Sequence, residues 1–120
     1  MNEKMQVLIA DSLPKVRRAL RVLLEQAGQV QIAGEAANAA GLLAQVETTP
    51  TDLVLLDWDL PGRAMAELLP ALRRACPGVR IIVLNTWAEA GPAALAAGAD
   101  TFVSKSDPAE RLLAAIKECR

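Results

Sequence analysis

The sequence has no histidine and only two cysteines, Cys76 and Cys119, which lie far apart and form no Cys-x-x-Cys pair. Zinc in proteins is held mainly by cysteine thiolates and histidine rings at short spacings. The scarcity of these residues therefore gives a zinc site almost no support. We expect both cysteines to be reduced thiols that lie on helices.

Long apolar runs and an excess of charge of one sign are also missing. No apolar run reaches the roughly 18 residues that cross a bilayer, and the opening MNEKMQVLIADS is more typical of a first strand than of a signal peptide. The formal net charge of −1 leaves no basic footprint for nucleic acid over the whole chain. We therefore expect a cytoplasmic protein that contacts neither membrane nor nucleic acid directly.

One local basic cluster departs from this balance. Lys15, Arg17, Arg18 and Arg21 all fall on a single predicted helix. A solvated helix face is the simplest explanation of such a cluster, and a surface that docks a partner is the alternative.

The chain does contain enough apolar material for one core. Hydrophobic residues make up 52% of its 120 residues and charged residues only 22%, which argues against disorder. A chain of this length buries roughly 60 to 70% of its unfolded surface on folding. We predict a single domain over residues 1–120.

Short apolar runs alternate with helix-period segments five times. This alternation predicts an α/β fold in which helices cover both faces of a parallel sheet. The middle runs are continuously apolar, as expected for strands that are buried on both faces. The predicted strands are QVLIA (6–10), QIAGE (31–35), LVLLD (53–57), RIIVL (80–84) and TFVS (101–104).

Three predicted helices have clear boundaries. The first covers about residues 14–27 and the second about residues 39–47. The last has Asp107 as its predicted N-cap and Pro108 in its first turn.

The other two helical segments are less regular. Residues 64–75 contain Pro70, and a proline inside a helix removes a donor and clashes with the preceding turn. The third helix is therefore expected to start late, near Glu67, or to bend. The fourth, between residues 87 and 98, is interrupted by Gly-Pro at residues 91–92 and is predicted to be short.

Polar residues follow four of the predicted strands. Asp11, Asp57, Asn85, Thr86 and Lys105 all come at carboxyl ends, where open parallel sheets bind their ligands. Two carboxylates about 4 Å apart repel by roughly 4 kcal/mol at an effective dielectric of about 20, so they need a cation between them. Lys105 supplies one positive charge, and a hard divalent ion such as Mg²⁺ would supply two. One carboxylate would then be available as a nucleophile.

Four stretches resemble the landmark segments of response-regulator receiver domains of two-component signalling. The resemblance covers nearly the whole chain and is closest to receivers at the front of transcription factors with a helix-turn-helix output domain. It implies a flavodoxin-like, doubly wound five-stranded sheet in the order 2-1-3-4-5, and a signalling function rather than an enzyme. The stretches are VLIADSLPKVR (7–17), LVLLDWDLPG (53–62), RIIVLNT (80–86) and AGADTFVSK (97–105).

The resemblance also implies roles for individual residues. Asp57 matches the aspartate that accepts a phosphoryl group from a sensor histidine kinase, and Lys105 matches the lysine that contacts the phosphoryl oxygens. Asp11 matches the first acid of the metal-binding pair, and Asp59 the position whose backbone carbonyl binds the metal. Phe102 matches the aromatic residue whose rotamer reports the switch.

Two positions depart from the family pattern. Ser12 stands where the second acid of the metal-binding pair is usual. A hydroxyl is a poor substitute for a carboxylate as a Mg²⁺ ligand, so we expect weak Mg²⁺ binding and slow phosphorylation. Asn85 stands where a Ser or Thr usually hydrogen-bonds the phosphoryl group, with Thr86 one residue later and the bulky Trp87 beside it.

Several of these residues also have a purely structural interpretation. Ser12 precedes a Leu-Pro helix start and is a good N-cap candidate. Asp59 is as plausible a turn former as a site residue, and Phe102 is equally well explained as part of the core. Trp58 is either a gate over the pocket or an interface residue.

Three functions follow from these alternatives. The first is a phosphoryl-accepting receiver with weakened Mg²⁺ chemistry, and the second is a degenerate receiver that acts as a phosphorylation-independent interaction or dimerisation module. The third, a phosphatase of the haloacid-dehalogenase class with Asp57 and Asp59 as its Asp-x-Asp motif, conflicts with the position of the motif and the length of the chain.

The resemblance implies partners as well. These are a sensor histidine kinase, a second copy of the chain, and an output domain or downstream protein. A stand-alone receiver and the front part of a longer regulator both stay open, as do two dimer surfaces, one around the fourth helix and one on the first and last helices.

Overall fold

A computed structural model describes residues 4–119 of the chain. The strands in this range are β1 (Met5–Ala10), β2 (Val30–Ala36), β3 (Leu53–Asp57), β4 (Arg80–Asn85) and β5 (Thr101–Ser104). The helices are α1 (Pro14–Gln26), α2 (Ala39–Thr48), α3 (Met65–Ala75), α4 (Gly91–Ala96) and α5 (Ala109–Glu118), and a short 3₁₀ turn, Ala88–Ala90, precedes α4. The described strands pair in parallel in the order β2-β1-β3-β4-β5. The predicted doubly wound fold is confirmed.

The sheet is buried on both faces because its central strands are apolar at nearly every position. Val54 and Leu56 of β3 pack into one core cluster with α2 and α3. Leu55, between them, packs into a second cluster with α1 and α5. Successive side chains of a strand point to opposite faces, so a continuous apolar run supplies both clusters.

The start of α3 corrects a prediction. The helix begins at Met65, and a start near Glu67 is wrong. The carbonyl of Ala64 accepts hydrogen bonds from the N–H groups of Glu67 and Leu68, so the first turn closes before Pro70 is reached. Pro70 lies within the helix on its exposed side.

The start of α5 corrects a second one. Asp107 is not the N-cap, because Pro108 holds that position and no side chain caps the helix. The Asp107 carboxylate instead accepts the Ser104 N–H at 3.3 Å and lies 3.8 Å from Arg111. The Asp-Pro pattern predicted a capped helix start, but the Asp107 side chain bonds to the end of β5 instead.

The short fourth helix agrees with its prediction, although Gly91 and Pro92 begin it rather than interrupt it. Proline is well tolerated in a first turn, where its missing N–H has no partner in any case. The two cysteines are free, and they directly follow α3 and α5 as C-cap residues rather than lying inside them. Within residues 4–119, no helix has both the length and the apolar character needed to cross a bilayer.

The edge of the sheet opposite the carboxyl ends is held by an arginine of α3. Arg73 donates to the carbonyls of Val79 at 2.9 Å and Gly98 at 2.6 Å, and to Asp100 Oδ2 at 3.0 Å. The same Asp100 oxygen accepts the Ile81 N–H at 2.8 Å. One side chain therefore joins α3 to the segments that lead into β4 and β5.

Arg73→Ala is expected to lower the free energy of unfolding by about 2 kcal/mol, since charge-assisted hydrogen bonds contribute about 1.5–3 kcal/mol. Urea unfolding measures the change. Arg74→Ala is the matched control, because Arg74 is the next residue of α3 and is exposed. Equal stabilities of the two variants would show that the Arg73 contacts contribute nothing.

Candidate functional site

The carboxyl ends of β1, β3 and β5 bring two acids and a lysine together. Asp57 is the last residue of β3, and Asp11 and Lys105 directly follow β1 and β5. Asp11 retains 1% and Asp57 6% of its surface exposed. Lys105 Nζ lies 2.7 Å from Asp11 Oδ2 and 3.3 Å from Asp57 Oδ1. The three side chains share one pocket, which carries two negative charges and one positive charge when all are ionised.

Burial and the charges of neighbouring side chains shift the pKa values of Asp57 and Lys105. The pKa of Asp57 is raised, chiefly because burial disfavours the ionised carboxylate and also because Asp11 repels it. The Asp59 N–H and Lys105 act in the opposite direction without cancelling these effects. Burial opposes the charge on Lys105, but its bonds and charges with Asp11 and Asp57 outweigh that cost and raise its pKa. Lys105 is therefore the fixed cation of the pocket.

The loop after β1 is organised by the backbone and by Asp11. The Asp11 N–H donates to the carbonyl of Ala36 at 3.0 Å, and Asp11 Oδ1 accepts the Leu13 N–H at 2.9 Å. The predicted capping role of Ser12 is wrong, because Leu13 is the N-cap residue of α1 and no side chain caps that helix. Ser12 is exposed.

The amide of Asn85 joins the loops that follow β3 and β4. Asn85 is 3% exposed, and its Nδ2 donates to Asp59 Oδ2 at 3.0 Å. Its Oδ1 accepts the Trp87 N–H at 2.9 Å. The sequence interpretation placed this amide near a phosphoryl group, whereas here its nitrogen donates to Asp59. No motif in the sequence signals this pair.

Two serines that the sequence interpretation missed tie the loop after β4 to the loop after β5. Thr86 is exposed, and its carbonyl accepts the hydroxyls of Ser104 at 3.3 Å and Ser106 at 3.5 Å. The Lys105 N–H donates to the Asn85 carbonyl at 2.8 Å. These bonds fix the main chain that carries Lys105. The Ser-Lys-Ser pattern around the lysine was the only available signal in the sequence.

The aromatic residues near the pocket have different environments. Phe102 is half-buried and packs over Gly91, where an added Cβ would lie 3.2 Å from the ring. Trp58 is half-buried against the core and lines a surface groove of about 550 Å³ between α3 and α4. Trp87 is 69% exposed. The packing of Phe102 is compatible with both its core and its switch interpretation.

The pocket offers carboxylate oxygens, which are the ligands that hard cations such as Mg²⁺ prefer. It offers fewer of them than a site with three acids would. No cluster of three or more acidic, cysteine or histidine side chains suited to a metal occurs in the part of the chain that the structure describes. Asp11 and Asp57 place two buried carboxylates in the pocket. Mg²⁺ is commonly held by one or two carboxylates together with water and substrate phosphate, so the set fits Mg²⁺ without a third acid.

Relatives of known function support a regulatory class. The chain is 31% identical over 118 residues to the nitrate/nitrite response regulator protein NarL of Escherichia coli, a match that covers 97% of this chain and 55% of NarL. The chain therefore spans about half the length of the curated relatives it matches.

Solved structures give the same result. A CheY-like response regulator receiver domain protein from Methanospirillum hungatei superposes with a TM-score of 0.83 at 30% identity, covering 97% of this chain and 93% of the other. A LuxR-family two-component response regulator from Aurantimonas has a TM-score of 0.86 at 28% identity, covering 97% of this chain and 84% of the other. The family model described as the response regulator receiver domain matches residues 7–117. The chain belongs to the response regulator receiver domain family of two-component systems.

Proposed function

We propose that this chain is a phosphoacceptor receiver in which Asp57 takes a phosphoryl group from a sensor histidine kinase, and that residues 1–120 form a single receiver domain. Receiver domains of this family typically accept a phosphoryl group, partner with sensor histidine kinases and generally are not enzymes. The observation that carries the proposal is the position of Lys105 Nζ, within 3.3 Å of both Asp11 and Asp57.

The proposed step is a transfer between two covalent carriers. A carboxylate oxygen of Asp57 attacks phosphorus, a P–O bond forms, and the P–N bond to the kinase histidine breaks as the imidazole leaves. Lys105 neutralises the phosphoryl oxygens that approach Asp57. Burial keeps the carboxylate basic, which favours it as a nucleophile over a fully hydrated aspartate.

Receiver domains typically bind Mg²⁺ for phosphorylation. When bound, the ion neutralises charge on the transferring phosphoryl group. In this chain Asp11, Asp57 and the carbonyl of Asp59 would hold it. Ser12 contributes no charge, so we propose that Mg²⁺ binding is weak and that phosphorylation is slow.

A phosphorylation-independent interaction module is the second candidate, and Asn85 favours it. Asn85 stands at the position that would couple the phosphoryl group to the switch, but both polar atoms of its amide are already bonded within the protein. Its Nδ2 donates to Asp59, and its Oδ1 accepts the Trp87 N–H. In this version neither Thr86 nor Phe102 changes conformation with phosphate, and a partner or a second copy sets the state of the domain.

Partners and localisation follow from family membership. Related proteins include response regulators of the LuxR family, so we propose an output domain or a separate downstream protein as the target of the signal. Some relatives dimerise, and we propose a homodimer as a second form of output. Response regulators are typically cytoplasmic, and we propose that location here.

Mg²⁺ titration followed by acetyl phosphate tests the proposed function. Trp87→Phe leaves Trp58, next to Asp57, as the single tryptophan. We expect saturable fluorescence changes with Mg²⁺ and an added phosphoryl mass, with the added mass lost in Asp57→Ala and unchanged in Asp107→Ala, an exposed acid of the neighbouring loop.

A folded protein with no Mg²⁺ response at millimolar concentration and no added mass would exclude the phosphoacceptor and favour the interaction module. Steady hydrolysis of a phosphate monoester, lost in Asp57→Ala and in Asp59→Ala, would instead favour the phosphatase.

A further inference from the structure

Arg17 of α1 connects the Asp11 loop to strand β2. Its Nη1 donates to the main-chain carbonyl of Asp11 at 2.6 Å, and its Nε donates to Glu35 Oε1 at 3.0 Å. Its side chain is only 18% exposed. The interpretation of the basic cluster as a solvated face is therefore wrong for this residue, because its guanidinium reaches the residue next to the pocket.

Glu35 can face Arg17 because β2 is irregular. Val7 of β1 pairs with Ile32, but the next residue, Leu8, pairs with Gly34, so one extra residue is inserted in β2. The shift places Glu35 beside Ile9, on the face covered by α1 and α5. A one-residue change of register moves every following side chain to the other face, and bulges near functional sites re-aim side chains in this way.

Glu35 is in turn fixed from two further directions. Arg21 binds Glu35 Oε2, with Nε at 2.8 Å and Nη2 at 2.6 Å. Gln45 of α2 donates from Nε2 to the Glu35 carbonyl. An added Cβ at Gly34 would lie 2.0 Å from Gln45 Oε1, so a larger residue at position 34 would displace the Gln45 amide from the Glu35 carbonyl. The pKa of Glu35 is lowered, mainly by its bond to Arg21 and against the effect of burial, so the carboxylate is ionised at neutral pH.

We infer that Arg17, held by Glu35, is a positioning residue that sets the place of Asp11 in the acidic pocket. The inference rests on the proposed function, in which Asp11 helps to hold Mg²⁺. Because Ser12 stands in place of the second acid of the metal-binding pair, Asp11 is the one acid that the loop after β1 offers to the ion. Asp11 is held at its carbonyl by Arg17 and at its carboxylate by Lys105 and the Leu13 N–H. Loss of the carbonyl contact releases the loop that aims this carboxylate. Residues that orient metal ligands from behind commonly change metal affinity about 10–100-fold.

The test compares Arg17→Gln with Arg21→Gln in the Trp87→Phe background. Both variants remove one arginine from Glu35, but only the first also removes the bond to Asp11. Two properties are measured, the Mg²⁺ dissociation constant from Trp58 fluorescence and, without metal, the hydrogen-exchange rate of the Leu13 amide. Thermal unfolding records any general loss of stability, and Arg17→Lys, which keeps a cationic donor, serves as a milder second variant.

For Arg17→Gln we expect about tenfold weaker Mg²⁺ binding and about tenfold faster exchange at Leu13. For Arg21→Gln we expect less than about twofold change in both, and for Arg17→Lys partial recovery. Equal effects in the Arg17→Gln and Arg21→Gln variants, or no effect in either, would overturn the inference. If the parent protein binds no Mg²⁺, the proposed function fails, but the Leu13 exchange rates still decide whether Arg17 positions Asp11.

Discussion

Lys105→Met is expected to lower the free energy of unfolding by about 3 kcal/mol at about pH 7, because it leaves buried charge without its partner. Asp11 and Asp57 are almost completely buried, and Lys105 Nζ is the cation between them. Methionine matches the length of the lysine side chain, so the loss is electrostatic rather than a cavity effect. The variant is expected to fold, with part of the penalty relieved by protonation of a carboxylate.

The dependence of this loss on pH follows from the sign of the pKa shift. The pKa of Asp57 is already raised above its ordinary value in the folded protein, chiefly by burial, and Lys105 is one of the groups that restrain it. Removal of the lysine raises this pKa further. A group with a raised folded-state pKa gives stability that is fully present below the unfolded pKa and is lost as pH rises through the folded one. The deficit of Lys105→Met is therefore expected to be larger at about pH 7 than at about pH 4.5.

Urea unfolding at the two pH values measures this difference. Lys15→Met is the matched control, because Lys15 is an exposed lysine of α1, and it is expected to change stability by less than about 0.5 kcal/mol at either pH. A Lys105→Met deficit that is the same at both pH values would show that the carboxylates do not depend on the lysine for their charge. A deficit that grows on acidification would contradict the sign of the shift.

The sheet was predictable because its strands carry a strong and redundant signal. β3 was predicted at residues 53–57 and observed at Leu53–Asp57, and the predicted strand 31–35 extends only to Val30–Ala36. Both faces of the sheet are covered, so every position of a central strand favours an apolar residue. The strand order came from the resemblance, since alternation alone does not specify which strands are neighbours.

The helix ends were less predictable because several weak interactions compete there. Asp107 and Ser12 both precede helices and have good capping side chains, yet neither caps. Asp107 turns back to the Ser104 N–H, and the Leu13 N–H is taken by Asp11. A capping bond contributes only about 1 kcal/mol, so a tertiary contact of similar strength decides the outcome. Such contacts depend on the assembled fold and have no local pattern.

The candidate site also has a part that the sequence predicts and a part that it does not. The convergence of Asp11, Asp57 and Lys105 followed from the rule that ligands bind at the carboxyl ends of parallel strands. Two other contacts could not be predicted from that rule. The bond between Asn85 and Asp59 depends on the geometry of two loops, and the bond between Arg17 and Glu35 depends on a bulge that shifts the register of β2.

Restoring an acid at position 12 is expected to have the largest effect on the proposed chemistry. Ser12→Asp should strengthen Mg²⁺ binding about a hundredfold. Two opposite unit charges about 4 Å apart attract by roughly 4 kcal/mol at an effective dielectric of about 20. The double charge of Mg²⁺ raises this to roughly 8 kcal/mol, and most of that is spent on desolvation. Without metal, the added carboxylate repels Asp11 and Asp57 and lowers stability, so Mg²⁺ should raise the melting temperature more in the variant than in the parent protein.

The measurements are Mg²⁺ affinity from Trp58 fluorescence and the rate of phosphorylation by acetyl phosphate. Ser12→Asn is the matched control, since it has nearly the size of aspartate and no charge, and it should leave both close to the parent values. No gain in Mg²⁺ affinity in a folded Ser12→Asp protein would mean that residue 12 does not reach the cation, and the explanation of weak binding would be wrong.

The two readouts also separate the two proposed functions. Stronger Mg²⁺ binding together with faster phosphorylation means that the missing acid was the main defect and that the chain is a working switch. Stronger binding without faster phosphorylation identifies Asn85 as a second block, because its amide is committed to Asp59 and the Trp87 N–H. Adding Asn85→Thr to Ser12→Asp should then restore the rate. If the double variant binds Mg²⁺ tightly and still accepts no phosphoryl group, the pocket is a structural element and signalling proceeds through the surface of the domain.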